Sequence, residues 1–354
     1  MNRYLPVPAI LNAIIVGLIA LPSMAANAPR ERCVAPEGTA LIEFRSNGNH
    51  LRGFIDLPHG RGKHPAIMIV HGGLDTDVTA GAGFSEAMRN TFRRAGIATL
   101  VWDKAGNGCS SGKYADPVLP IRERATETLA ALNVLRQRSD IDSSRIGLWA
   151  LSQGAWVAPM AMVQTNDIAY LIAVSAPGRD ALSQATYESL SILREAGVAE
   201  SEAQDVYATL RRGVAVARAT GSARAYASFI EPLRKYPSIW KTYGPDPSEA
   251  GQAAILSAPE WSINADEFLT QLRQPTLAVF GQRDRFVDWR ESVDVYRDSF
   301  ERSGNRDLTI KVFKDADHDM LAPAADPSSP QAVHVDGYME AMVEWLKARN
   351  FAGR

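Results

Sequence analysis

"GLWALSQGAWVA", residues 147–158, runs an apolar stretch into a serine flanked by small residues and then resumes with helical spacing. Arg145 to Ala150 reads as a short buried strand and Ala155 to Val163 as a helix. Only "ALSQG", Ala150 to Gly154, joins the two. A serine on so abrupt a strand-to-helix turn is held out at the carboxyl end of its strand. Such a turn closes only when the residues two before and two after the serine are small, a condition Ala150 and Gly154 meet. The same five residues also suit a plain helix N-cap at Ser152, so the surroundings decide between the two readings.

Outward from the turn the pattern is regular. "TALIEFRSNGNHLRGFIDLP", Thr39 to Pro58, alternates on both sides of Asn47-Gly48-Asn49 and predicts a β-hairpin. Short apolar, β-branched runs follow at Ala66 to Val70, Ile97 to Trp102, Arg145 to Ala150, Ile168 to Ser175, Thr276 to Phe280 and Leu308 to Phe313. Helical spacing fills Phe84 to Ala95, Ile121 to Arg138, Ala155 to Val163, Trp289 to Arg302 and Val335 to Asn350. Strand and helix in alternation predict an α/β fold with a mostly parallel central sheet and helices on both faces. The rhythm breaks at about residues 179–272, where helical spacing and prolines replace strands, and resumes at Thr276. This interval reads as a helical cap insertion within one domain spanning residues 26–354.

In a parallel sheet, sites assemble where the strands end. A serine hydroxyl needs a base to take its proton and a third group to orient that base. Asp284 follows the strand "TLAVFG" and His318 follows "LTIKVFKDA", and the chain order Ser, Asp, His is the one such a turn requires. Asp288 competes with Asp284 for the acid role. Of the six histidines, His50, His59 and His64 belong to the hairpin and its exit, and His334 reads as the opening of the last helix. "IMIVHGGLD", residues 67–75, ends an early strand in His71-Gly72-Gly73, where glycines let backbone amides turn toward a reacting carbonyl. The oxyanion candidates are the amides of Gln153 and Gly73, with Leu74 as neighbour, while His71 reads as structural.

With "HGG", "DKAGNGCSSG" (residues 103–112), "ALSQG", Asp284 and His318 in this order, the sequence resembles an α/β-hydrolase over the whole chain from residue 26. The segment "DKAGNGCS" is similar to that of esterases and aminopeptidase-like members of the superfamily, although many relatives carry arginine where Ala105 stands. The elbow carries Ala150 in place of the more usual glycine. The resemblance implies hydrolysis through an acyl-enzyme on Ser152. A carboxylic-ester hydrolase is the first expectation, with an aminopeptidase or acyl-peptidase as alternative. A hydrolase-shaped binding protein without activity is the contrasting one. Trp240, Trp261, Tyr243, Tyr236 and Phe229 could roof an acyl pocket, and Glu188, Glu195, Glu200, Glu202 and Asp205 could anchor a peptide amine.

Composition narrows the partners. The 354 residues are 46% hydrophobic and 22% charged, with a formal net charge of -2, so there is no basic stripe for nucleic acid and a small-molecule ester or short peptide fits better. Residues 1–25 read as a signal peptide: Arg3, an apolar run from Ala9 to Leu21, then small residues at Ser23 and Ala25. The run is shorter than the ~20 residues that span a bilayer, so the expected protein is exported, periplasmic or secreted, and free of the membrane after cleavage. The two cysteines, Cys33 and Cys109, either bridge the mature N-terminus to a central loop or remain thiols. No cofactor is called for. Asp315, Asp317 and Asp319 lack the glycine and closing glutamate of a calcium loop, and "GAGF" lacks a full phosphate fingerprint.

Overall fold

The computed structural model describes residues 34–73, 76–78, 82–113, 120–245, 262–323 and 333–353. The proposed signal peptide, Cys33, Leu74 and Trp261 lie outside the described residues. Strands β1 (Thr39–Ser46) and β2 (Asn49–Asp56) form the expected hairpin, with Ser46 opposite Asn49 and both Asn47 and Gly48 at positive φ. There follow β3 (His64–Val70), α1 (Ala82–Arg94), β4 (Ala98–Trp102), α2 (Ile121–Arg136), β5 (Ile141–Leu151), α3 (Gly154–Met162) and β6 (Leu171–Val174). Helices α4 (Ala181–Ala185), α5 (Glu188–Glu195), α6 (Glu200–Thr220), α7 (Ala223–Ile230), α8 (Pro237–Tyr243) and α9 (Ala265–Leu269) lead to β7 (Thr276–Gly281). The chain closes with α10 (Trp289–Ser303), β8 (Leu308–Phe313) and α11 (Tyr338–Ala348).

These strands make one sheet in the order β1-β2-β4-β3-β5-β6-β7-β8, antiparallel at the hairpin end and parallel from β4 onward. Alternate residues of each strand enter opposite faces. Met68, Val70, Leu148, Ala150, Ala173 and Phe280 join one apolar cluster with α2, α3 and α10, whereas Ile67, Ile69, Trp149, Leu151, Ile172 and Val279 join a second with α1 and α11. Burial on both faces is why these strands are continuous apolar runs. Each large side chain so buried contributes about 1.5–3 kcal/mol. The register runs straight across: Val70 pairs with Ala150, Ala150 with Ala173, and Ala173 with Ala278. The carboxyl ends of β3, β5, β6 and β7 therefore reach one level.

Some boundaries differ from the sequence reading. β5 begins at Ile141 because a partly exposed segment pairs back to His64. β6 stops at Val174, where Ser175 turns to positive φ (46°). The last helix starts at Tyr338, since the Val335 amide donates to Met320 O and Gly337 supplies a left-handed N-cap. His334 thus does not open that helix; it pairs with Leu321 and stacks on Tyr338 with ring centroids 5.5 Å apart. Between β6 and β7 the described residues are helical and carry an apolar cluster of their own, including Leu190, Leu193, Tyr207, Leu210, Ile230 and Tyr243. Among the described residues no helix is long and apolar enough to cross a membrane.

The β5–α3 turn lies against the end of β3. A β-carbon at Gly154 would stand 2.3 Å from Val70 O and 2.8 Å from His71 O, and both obstacles are backbone. Gly154→Ala is expected to cost about 1–3 kcal/mol, the range for forced overpacking. Urea unfolding would check this, and an unchanged midpoint would show that the turn can withdraw from β3.

Candidate active site

Ser152 is the first residue past β5 and has φ 53°. A left-handed conformation is uncommon for a residue with a side chain and costs about 1–2 kcal/mol. It persists because both sides of the residue are tied: the Ser152 amide donates to Val174 O at 3.0 Å and its carbonyl accepts from the Ala155 amide at 2.8 Å. The N-cap of α3 is Gln153, which makes no side-chain capping bond. Ser152 Oγ makes no hydrogen bond among the described residues, so the capping reading of this serine fails. The residue is half-buried at the sheet end.

Asp284 and His318 meet. His318 Nδ1 lies 2.8 Å from Asp284 Oδ2, and the second carboxylate oxygen accepts from the amides of Phe286 (2.8 Å) and Val287 (2.9 Å). Asp284 is buried and His318 nearly so. Two features bring the histidine here. A β-carbon at Gly281 would meet Ala316 O at 2.4 Å and Asp317 O at 2.5 Å, so only a bare backbone lets the His318 loop cross the end of β7. From the other side, Ser175 Oγ donates to His318 O at 2.6 Å. The Phe286 ring meets the imidazole edge-on, centroids 5.2 Å apart. Burial opposes the imidazolium, but the Asp284 carboxylate, by charge and by hydrogen bond, outweighs it, with Asp319 and Asp317 adding; the net shift is upward from the usual 6.5. Among the described residues His318 Nε2 and Ser152 Oγ are not hydrogen-bonded to each other. Asp288, the competing acid, caps α10 through the amides of Arg290 and Glu291.

The His71-Gly72-Gly73 turn faces the serine. A β-carbon at Gly72 would sit 3.5 Å from the Ser152 Cβ, and one at Gly73 would sit 3.6 Å from Gln153 Nε2. Behind the turn are two buried cations that sequence reasoning missed. Lys104 Nζ donates to Gly72 O (3.2 Å) and Gly73 O (3.3 Å). Arg124 donates to Gly72 O (3.2 Å), His71 O and Gln153 Oε1. Burial, then the charges of Lys104 and Arg124, drive His71 down to about 3, so it is neutral, and its buried Nε2 has no hydrogen-bond partner among the described residues. The signal for Arg124 was available: it occupies the buried stripe of α2 with Ile121, Thr128 and Leu135.

The "DKAGNGCSSG" segment supports the same region. Asp103 accepts from the amides of Val78 (2.8 Å) and Cys109 (2.9 Å), and Asn107 Oδ1 accepts from the Thr76 amide at 2.8 Å. Burial raises Asp103 to about 6 against the lowering effect of those amides. Cys109 is disulfide-bonded, and the sequence holds one other cysteine, Cys33. Asp317, one of the alternating acids, accepts from the amides of Asp319 (3.0 Å) and Leu321 (2.8 Å) and so closes a local turn.

Comparison with known proteins agrees with this architecture. No protein-family model matches the chain. Esterase EstD of Thermotoga maritima is 24% identical over 315 residues, which cover 88% of this chain and 67% of that protein. The solved esterase Pf2001 of Pyrococcus furiosus is similar with a TM-score of 0.57 and 17% identity, over 91% of this chain and 94% of that one. Est1E of Butyrivibrio proteoclasticus, solved with ferulic acid bound, matches with a TM-score of 0.52 and 17% identity, over 87% and 97% of the two chains. These likenesses show the fold: the chain has the α/β-hydrolase fold, a mostly parallel sheet flanked by helices.

The strain at Ser152 has a measurable consequence. Glycine accepts positive φ without penalty, so Ser152→Gly is expected to be as stable as the parent or up to about 1 kcal/mol more so. Thermal melts of the two proteins would check it, a clear loss of stability counting against a strained turn.

Proposed function

We propose that the chain is a serine hydrolase that cleaves carboxylic esters, with Ser152 as nucleophile, His318 as general base and Asp284 as the acid that orients it. The carrying observation is the 2.8 Å His318–Asp284 hydrogen bond, formed at the same sheet end as a serine held at positive φ. With Nδ1–H committed to Asp284, His318 Nε2 is the atom left to accept the Ser152 proton. Ser152 Oγ then bonds to the acyl carbon, and the carbonyl electrons move onto its oxygen. The amides of Gly73 and Gln153, with that of Leu74 as neighbour, receive this oxyanion. Collapse expels the alcohol, which takes the proton from His318. Water repeats the sequence on the acyl-enzyme and releases the acid. No metal or cofactor enters these steps.

Esters are favoured over peptides because the relatives EstD and Pf2001 bear the name esterase. The helical interval at 179–272 is assigned the role of a cap, in keeping with its separate apolar cluster and the bond from Gln184 to Phe286 O, next to the histidine. Residues 1–25 are assigned as a signal peptide and the protein as exported, periplasmic or secreted. A disulfide-bonded Cys109 suits an oxidising compartment.

A fluorophosphonate probe should label the protein at Ser152 and leave Ser152→Ala unlabelled; absence of label would point to a binding protein of hydrolase shape. On a panel of p-nitrophenyl esters against aminoacyl anilides, kcat/KM should favour the esters, and a large preference for anilides would move the assignment to a peptidase. The base must be neutral and its pKa lies above 6.5, so kcat/KM should rise with pH through a midpoint above that value to a plateau. Asp284→Asn removes the largest upward influence. It should lower this midpoint and reduce kcat by about 10⁴-fold.

A further inference from the structure

We propose that Lys104 and Arg124 are positioning residues that hold the peptide planes of the His71–Gly73 turn, so that its amides face Ser152 and a reacting carbonyl. The inference rests on Ser152 being the nucleophile and deepens that reading. In a trans peptide the carbonyl of one residue and the amide of the next point in opposite directions. Gly72 O is drawn to both Lys104 Nζ and Arg124 Nη1, at 3.2 Å each, and the Gly73 amide belongs to that same peptide. Gly73 O is also drawn to Lys104, at 3.3 Å. The Gly72 side of the turn, by contrast, lies against the Ser152 Cβ.

Two neighbouring glycines have no side chains to anchor their peptides, so rotation of the Gly72–Gly73 peptide would put a carbonyl where a donor is required. The cations oppose that rotation because a Gly72 carbonyl turned away would take one hydrogen bond from each of two buried charged donors. Arg124 has a second task. It donates to Gln153 Oε1, on the residue that supplies the other amide, and to His71 O. One guanidinium, presenting several donors in a rigid plane, therefore ties both halves of the oxyanion site. Glu127 adds partial compensation. It is buried near both cations and accepts from the Ala105 amide at 3.2 Å. Lys104 and Arg124 are themselves almost fully buried, which suits a role behind the turn and away from substrate.

The test compares the full-length parent with Lys104→Met and Arg124→Met, each first shown to fold by its thermal melt. With p-nitrophenyl butyrate, kcat should fall about tenfold to a hundredfold while KM stays within about threefold, because only the developing oxyanion senses the misplaced amides. The affinity for phenylboronic acid, whose tetrahedral adduct on serine uses the same amides, should fall by a similar factor. The acid limb of the pH profile should stay in place, since the His318–Asp284 pair is untouched. A folded variant with kcat within about twofold of the parent, or one whose loss is entirely in KM, would overturn the inference. If Arg124→Met does not fold, Arg124→Lys is read by the same criteria. It keeps one charge but cannot serve three oxygens in one plane. A parent that takes no fluorophosphonate label overturns the nucleophile assignment and this inference together. A labelled parent with unaffected variants overturns the inference alone.

Discussion

The contact between Gly154 and the end of β3 is the constraint from which the rest of the site follows. Helix α3 can begin where β5 ends only if its first residue fits against the carbonyls of Val70 and His71, and only a missing β-carbon leaves room. Given that fit, the chain must reverse within two residues, and Ser152 takes the positive φ that the reversal demands. The same contact places the serine against the HGG turn that continues from β3. A local steric fact thus determines both where the serine stands and which backbone turn stands beside it.

Electrostatics then hold a geometry that packing alone would leave loose. Lys104 and Arg124 are buried at a cost, and part of the return is a turn whose carbonyls converge on them. Burial, with their charge, also keeps His71 neutral, so its imidazole adds no third positive charge. On the other side of the serine, Asp284 works in the opposite sense. Its carboxylate is stabilised by two amides and raises the proton affinity of His318. Lys104 and Arg124, with Glu127 beside them, stand behind the His71–Gly73 turn, and the Asp284 carboxylate stands behind His318.

Much of the fold was legible in the sequence because short continuous apolar runs and helical spacing report burial directly. Strand β8 and the starts of β7 and α10 fall where the pattern places them, and Asp284 and His318, which the fold brings within 2.8 Å, stand out in the sequence because each follows a strand end. Less legible was anything that depends on partners distant in sequence. The extra length of β5 comes from pairing with His64, and the short β6 from the turn at Ser175. Arg124 carried a visible anomaly, a charge on the buried stripe of an amphipathic helix, yet its acceptors are 29 and more residues away and nothing local names them. Lys104, embedded in "DKAGNGCS", reads as an ordinary loop lysine until the fold turns it inward.

By itself the sequence determined the alternation of strands and helices, the serine turn with its two small neighbours, and the order of the three polar residues. These depend on local sterics and on a periodicity that a single chain displays. Tertiary structure alone decided that Asp284 Oδ2, and not Asp288, receives the imidazole, that Gly281 lets the His318 loop pass, and that two buried cations stand behind the His71–Gly73 turn. Each of these is a distance between segments brought together only when the sheet aligns its carboxyl ends.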